Sequence, residues 1–366
     1  MILPRPKLIA DYSANKMSTK QLAAKIVHAT RSAIIILIIS SLLGEFIFRV
    51  YNSFNPLFIF YDNSYNRFRG KPFADDWDFK LNSQGFKDVE FSRQNNQKYR
   101  ILGVGDSFAY GIVPYKNNYL TLLESQFQEE SINVEVFNMG IPSIGPKEYL
   151  SLLMREGFEY HPDMVLLSFY IGNDFIDSYK SRKWYTYSYV ASFIHYILAL
   201  QRKYEGRIIH GKGIYCDDCP NLDEAAYLEM EKERSFIFST EITDFVPMFD
   251  AAVDSLKQIQ DICKKRGIQF VVVIIPDEIQ INSSLQTEVK KQLSIQEGTW
   301  DITLPNERLA KKLKDMGVDY LDLYPYFMKE AQAKQLYRPR DTHWNIAGNQ
   351  FAANLIQNHI RNYVKP

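Results

Sequence analysis

Two kinds of apolar run alternate along most of this chain. Ile101 to Val104, Met164 to Tyr170 and Gln269 to Ile275 are short and nearly continuous, as in strands buried on both faces. Ile132 to Asn138 alternates in the manner of a strand, and Val318 to Leu323 supplies a further short one. Between these runs the apolar residues fall at helical spacing. Leu120, Leu123 and Phe127 do so within Asn118 to Gln128, and Lys147 to Gly157 follows the same pattern. Phe249 to Cys263 and Asn306 to Met316 are helical and are stopped by Gly267 and Gly317. Asn345 is a candidate N-cap for a last helix through about Ile360. Strand and helix in turn predict an α/β fold of three layers, helices on both faces of a mostly parallel sheet.

Two stretches break this rhythm. The first is the apolar run from Ala33 to Phe48, which shows no amphipathic period over Ala33 to Ile39. It approaches the ~20 residues a helix needs to cross a bilayer. Glu45 and Arg49 stand four apart near its end, where they can pair on one helix face. Lys16, Lys20, Lys25 and Arg31 precede the run, and no small-x-small cleavage site follows it. An uncleaved transmembrane signal anchor with its N-terminus in the cytoplasm is therefore expected, which puts everything after about Tyr51 outside. The expected division is a basic cytoplasmic tail over 1–31, the anchor over 32–50 and a connecting region over 51–98. A catalytic domain over 99–366 follows. Within the connecting region, Leu81 to Asp88 reads as a turn with Gly85 at positive φ.

The second stretch is residues 176–245, too long for a plain loop and predicted to be a helical insertion or lid. It holds Trp184 and Cys216-Asp217-Asp218-Cys219. Outside the cytoplasm that pair suits a local disulfide. Zinc would require a second ligand pair, a redox motif would require a strand-to-helix context, and two free thiols are the remaining reading. With three cysteines in all, the chain is no disulfide scaffold. Lys plus Arg equals Asp plus Glu, 43 against 43, so no net basic field points to nucleic acid. Oligomeric state leaves no mark in the sequence.

The candidate chemistry collects at strand ends. Gly105-Asp106-Ser107 follows the first buried strand, Asn138-Met139-Gly140 the second, and Gly172-Asn173-Asp174 the third. Arg340-Asp341-Thr342-His343-Trp344-Asn345 precedes the last helix. In a parallel sheet these points share the carboxyl edge, where such folds bind ligands. A serine hydroxyl needs a base to become a nucleophile, and His343 can serve, with Asp341 holding its tautomer. The Ser107 and Gly140 backbone N–H groups and the Asn173 side-chain amide are the candidate oxyanion donors. Asp174 is expected to order its own loop. His28, His161, His195, His210 and His359 lack a matching context.

These blocks resemble the SGNH hydrolases, the GDSL esterase/lipase family, whose name lists four residue types that Ser107, Gly140, Asn173 and His343 match in order. The resemblance covers about residues 99–175 and 265–360. It implies a flavodoxin-like sheet and an acyl-enzyme on Ser107, with no metal or organic cofactor. The family usually places two residues between Asp and His, where Asp341 and His343 have one. A similar Asp-x-His-Trp block occurs in alginate-type O-acetyltransferases. The function expected is ester hydrolysis on an O-acyl group outside the cytoplasm. O-acyl transfer to an envelope glycan, or a non-catalytic glycan-binding scaffold, are the alternatives.

Overall fold

The computed structural model describes residues 18–54, 59–61, 70–94, 97–179, 182–203, 215–241 and 245–364. Residues 1–17 of the expected tail lie outside these, as do His210 and residues 180–181, 204–214 and 242–244 of the expected insertion. Helix α1 (Thr19–Phe54) runs for 36 residues. It opens on a reciprocal cap: Gln21 N–H donates to Ser18 Oγ at 3.3 Å, and Ser18 N–H donates to Gln21 Oε1 at 3.1 Å. The helix starts well before the expected 32–50, because no Gly or Pro interrupts Thr19 to Leu43. At 1.5 Å per residue it is ~54 Å long, against a bilayer core of ~30 Å. Among the described residues it is the one helix long and apolar enough to cross a membrane. Arg49 Nε donates to Glu45 Oε1 at 2.8 Å, the pairing its spacing allows.

A small ribbon follows, β1 (Asp75–Asp76) antiparallel to β2 (Phe79–Lys80). Beyond it Gly85 takes φ 83°, and a Cβ there would lie 2.2 Å from the Gly70 carbonyl oxygen, so both the turn and the close approach require glycine.

From residue 99 strands and helices alternate. They run β3 (Tyr99–Val104), α2 (Ser107–Tyr110), α3 (Tyr119–Glu129), β4 (Val134–Asn138), α4 (Pro146–Arg155), β5 (Met164–Tyr170) and α5 (Asp174–Tyr179). The expected insertion then contributes α6 (Tyr189–Lys203) and α7 (Glu224–Arg234), helical as anticipated. The remainder is α8 (Phe245–Arg266), β6 (Gln269–Ile275), α9 (Glu278–Ile281), α10 (Ser283–Gln292), α11 (Leu304–Asp315), β7 (Asp319–Asp322), α12 (Tyr324–Glu330) and α13 (Ile346–Ile360). At α4 the end differs from expectation: the helix stops at Arg155, and Gly157 opens a 3-10 turn instead of closing the helix.

The five-stranded sheet has the order β4-β3-β5-β6-β7, and every pair in it is parallel. Successive residues of one strand face opposite sides. Leu102, Val165, Leu167, Val272 and Ile274 pack with Tyr149 of α4, Phe249 of α8 and Leu309 of α11. Ile101, Met164, Leu166, Val271 and Val273 pack with Leu123 of α3, Phe327 of α12 and Ile356 of α13. Two buried faces explain why these strands read as continuous apolar runs. After β3 the chain adds β4 on one side and then crosses to add β5 on the other. The crevice beyond the carboxyl end of β3 is thus the topological switch point.

Candidate active site

Ser107 stands at that switch point, at the first position of α2. Asp106 caps the helix, accepting the Phe108 N–H on Oδ1 at 2.9 Å. The Ser107 N–H has no acceptor within the helix, as for any first helical residue. Phe108 turns inward, 3% exposed, and meets the Trp344 ring edge-on with centroids 5.0 Å apart. Trp344 is itself buried and stacks on Phe327 of α12. The residues after Ser107 and after His343 therefore share one apolar contact, which draws their neighbours together.

The loop carrying His343 is closed like a hairpin. Tyr337 and Trp344 form a bridge, the Arg338 N–H donates to the His343 carbonyl at 3.0 Å, and the Asn345 N–H donates to that of Leu336 at 3.0 Å. Asn345 caps α13 by accepting the Gly348 N–H at 2.8 Å. His343 Nε2 lies 2.8 Å from Ser107 Oγ, across 236 residues of sequence. His343 Nδ1 lies 2.6 Å from Asp341 Oδ1. An ionised carboxylate only accepts, so Nδ1 carries the proton and Nε2 is free to accept from the serine hydroxyl.

Burial would raise the Asp341 carboxyl, which is 4% exposed, but His343 and Arg338 outweigh it and hold the group below its ordinary value. Arg338 donates from Nη1 to Asp341 Oδ2 at 2.7 Å. The arginine is in turn braced by the disulfide turn Cys216–Cys219: its Nη2 donates to the Cys216 carbonyl at 3.4 Å. Asp217 in the same turn accepts the Ile346 N–H, at the start of α13, at 3.0 Å.

Asn173 donates from Nδ2 to Asp106 Oδ2 at 3.2 Å, which tethers its amide beside Ser107 and leaves a second N–H free of that bond. Burial pushes the Asp106 carboxyl up to about 6. Asp174 orders its loop as anticipated, accepting the Tyr170 N–H at 3.0 Å and the Tyr149 hydroxyl at 2.9 Å. Gly140 packs on α2 so tightly that a Cβ would lie 2.1 Å from the Tyr110 nitrogen. Its N–H, however, donates to Asn138 Oδ1 at 2.9 Å, an Asx turn that already occupies the donor foreseen for an oxyanion. The other described histidines lie elsewhere; His195 stacks on Tyr185, and His359 bonds Asp319 at 3.0 Å.

Two supports were not foreseen. Arg338 stands three residues before Asp341, but Arg340 is nearer in sequence, and nothing in the pattern says which one turns inward. Arg234, from α7, donates to the Tyr170 hydroxyl at 2.9 Å and to Thr342 Oγ1 at 3.2 Å, reaching the residue between Asp341 and His343. That contact joins segments 108 residues apart and carries no local signal. Among the described residues no group of three His, Cys, Asp or Glu side chains is arranged to hold a metal ion.

Residues 243–365 match the family described as SGNH hydrolase-like domain, acetyltransferase AlgX. No curated protein matches the chain. Among solved structures, the lipase/acylhydrolase of Enterococcus faecalis is similar, with 13% identity and a TM-score of 0.43 over 74% of this chain and 98% of that one. An acetyl xylan esterase, AlAXEase, has 15% identity and a TM-score of 0.41 over 71% and 98%. The esterase EstA of a Pseudoalteromonas species has 12% identity and a TM-score of 0.39 over 73% and 98%. The family match, on a parallel sheet whose strand ends carry the ordered sequence blocks, makes residues 243–365 an SGNH hydrolase-like domain.

Proposed function

We propose that this protein is a membrane-anchored serine acyl hydrolase that works through an acyl-enzyme. The observation that carries the reading is the continuous chain from Ser107 Oγ through His343 to Asp341, with links of 2.8 and 2.6 Å. His343 takes the hydroxyl proton as Ser107 attacks an ester carbonyl, and Asp341 steadies the imidazolium. The Ser107 N–H and the free Asn173 amide hydrogen stabilise the oxyanion, and Gly140 lets the chain pass close to α2. The leaving alcohol takes the proton from His343, and water activated by the same imidazole then releases the acid.

A second reading, O-acyl transfer, is favoured by one observation. The matched family is described as an acetyltransferase, and the matched segment contains Asp341 and His343. In that reading a glycan hydroxyl replaces water at the deacylation step. The anchor, read by the positive-inside rule, puts residues beyond about 51 outside the cytoplasm, with an envelope O-acyl ester as substrate. We assign 1–31 as the cytoplasmic tail, 32–50 as the membrane segment, 51–98 as the connector and 99–366 as the catalytic domain.

Hydrolysis of p-nitrophenyl acetate by the purified full chain tests the shared first half of both readings. Ser107→Ala is expected to lower turnover by a factor on the order of 10⁶, and Asn173→Ala by ~10²–10³. A folded wild type inert on every ester would leave a glycan-binding scaffold instead. Adding a polysaccharide acceptor separates the two readings: acylated glycan marks transfer, and free acid alone marks hydrolysis.

A further inference from the structure

Helix α6 is apolar along Tyr189 to Leu198 yet contributes to neither core of the sheet. One side meets the aromatic turn before it: the Ser192 hydroxyl donates to the Tyr185 carbonyl at 3.0 Å, and His195 stacks on the Tyr185 ring. A neighbouring side meets α1. Phe193 packs on Phe48 with centroids 4.9 Å apart, and Arg49 lies over the Tyr189 ring. Glu45 of α1 accepts the Val190 N–H at 3.1 Å and the Ser188 hydroxyl at 2.8 Å, so the anchor helix itself caps the start of α6. What remains is a stripe of Ile194, Ile197 and Leu198, between 41% and 56% exposed. These residues stand three and four apart and border directly on the side that meets α1.

The crossing falls where the apolar run of α1 ends. Towards the amino end, the apolar residues of α1 from Ile34 to Leu43 are exposed among the described residues. The stripe on α6 thus lies beside the carboxyl end of that exposed apolar run, next to the contacts of α6 with Glu45, Phe48 and Arg49. Trp184 and Tyr187, in the turn leading into α6, are 79% and 62% exposed, and such rings concentrate where a bilayer meets water. A short apolar helix with no place in a core must find another apolar medium, and the surface it adjoins is the one α1 offers to lipid.

We propose that α6 is a second membrane contact, lying in the outer face of the bilayer at the point where α1 emerges, with Ile194, Ile197 and Leu198 turned into the acyl boundary. The inference rests on α1 being a membrane anchor. Two fixed contacts, one spanning and one lying flat, set the height and tilt of the catalytic crevice above the lipid surface, where a single anchor would let it swing.

The test uses the full chain in lipid nanodiscs holding one copy each. Single cysteines replace Ile39, Ile194, Leu198 and Lys290 in turn and carry an environment-sensitive fluorophore. Cys263 is buried and Cys216–Cys219 are joined, so the introduced thiol is the one labelled. Labels at 194 and 198 are expected to emit blue-shifted and to sit ~5–10 Å into the interface by depth-dependent quenching. The label at 39 should lie deeper and that at 290 in water. Brominated lipid should also quench unlabelled wild type more than Trp184→Phe, which needs no new cysteine. Labels at 194 and 198 in water, with 39 in lipid, would overturn the inference and leave the anchor standing. All labels in water would overturn both. Shielding at 194 and 198 found only with two copies per disc would mean that a second chain covers the stripe, and would also overturn it.

Discussion

Asp341 gives one oxygen to His343 and the other to Arg338, and that division decides how the imidazole behaves. The carboxylate must be charged to hold the Nδ1 proton, and its burial works against charge. Arg338 is one of the two partners that offset burial. Removing the guanidinium leaves the desolvation cost opposed by His343 alone, so the Asp341 value rises. Arg338→Gln is expected to move the acid limb of the kcat/KM profile to higher pH, because Asp341 then takes up a proton before the pH has fallen as far. Arg338→Lys should restore part of the shift. A profile merely lowered at every pH would mark the arginine as a structural strut. At this scale the sequence was legible where chemistry is local. Ser107, Asn173, Asp341 and His343 each stand in a short motif at a strand end or before a helix cap. The partners that support them, Arg338, Arg234 and Asp106, act through directions of side chains that spacing does not encode. The sequence marks Gly140 as an oxyanion donor, but its N–H is taken by the Asx turn with Asn138, which depends on a single rotamer that spacing does not reveal.

At the scale of elements, the disulfide turn does more for the site than for the fold. Joining residues three apart removes little freedom from the unfolded chain, ~2 kcal/mol by the chain-entropy relation. The same turn accepts from Arg338 and caps α13, so it holds both ends of the loop that carries His343. Reduction, or Cys216→Ser with Cys219→Ser, is expected to lower kcat between a few-fold and ~10² while KM and the melting temperature change little. The double variant should then ignore reductant; a full loss of the folded state would show a wider structural role. Strands β3, β5 and β6 were readable from sequence because burial on both faces leaves no polar alternation to confuse them. Helix α1 extends beyond the apolar run because Lys20, Gln21, Leu22, Ala23, Ala24 and Lys25 in its first turns favour helix without forming a continuous apolar stretch. Helix α6 was hidden inside an insertion, its apolar face serving neither core.

For the whole molecule, the decisive quantity is which side of a membrane the crevice faces. Basic residues before the apolar run of α1 argue that everything beyond it is exported. Alkaline phosphatase fused to the carboxyl end, active only when exported, is therefore expected to be active in the full chain and silent when residues 1–54 are removed. A fusion active only as a cytosolic reporter would reverse the orientation. The Ser107 hydroxyl and the imidazole proposed to activate it stand 236 residues apart. A ribosome releases the amino end first, so the serine emerges long before any base exists to arm it. Nearly the entire sheet has to be laid down and its final helix docked before an ester could be cut. Under the proposed mechanism, ester chemistry would thus certify completed folding: a truncated or stalled chain would carry the serine past every ester it meets and leave them intact.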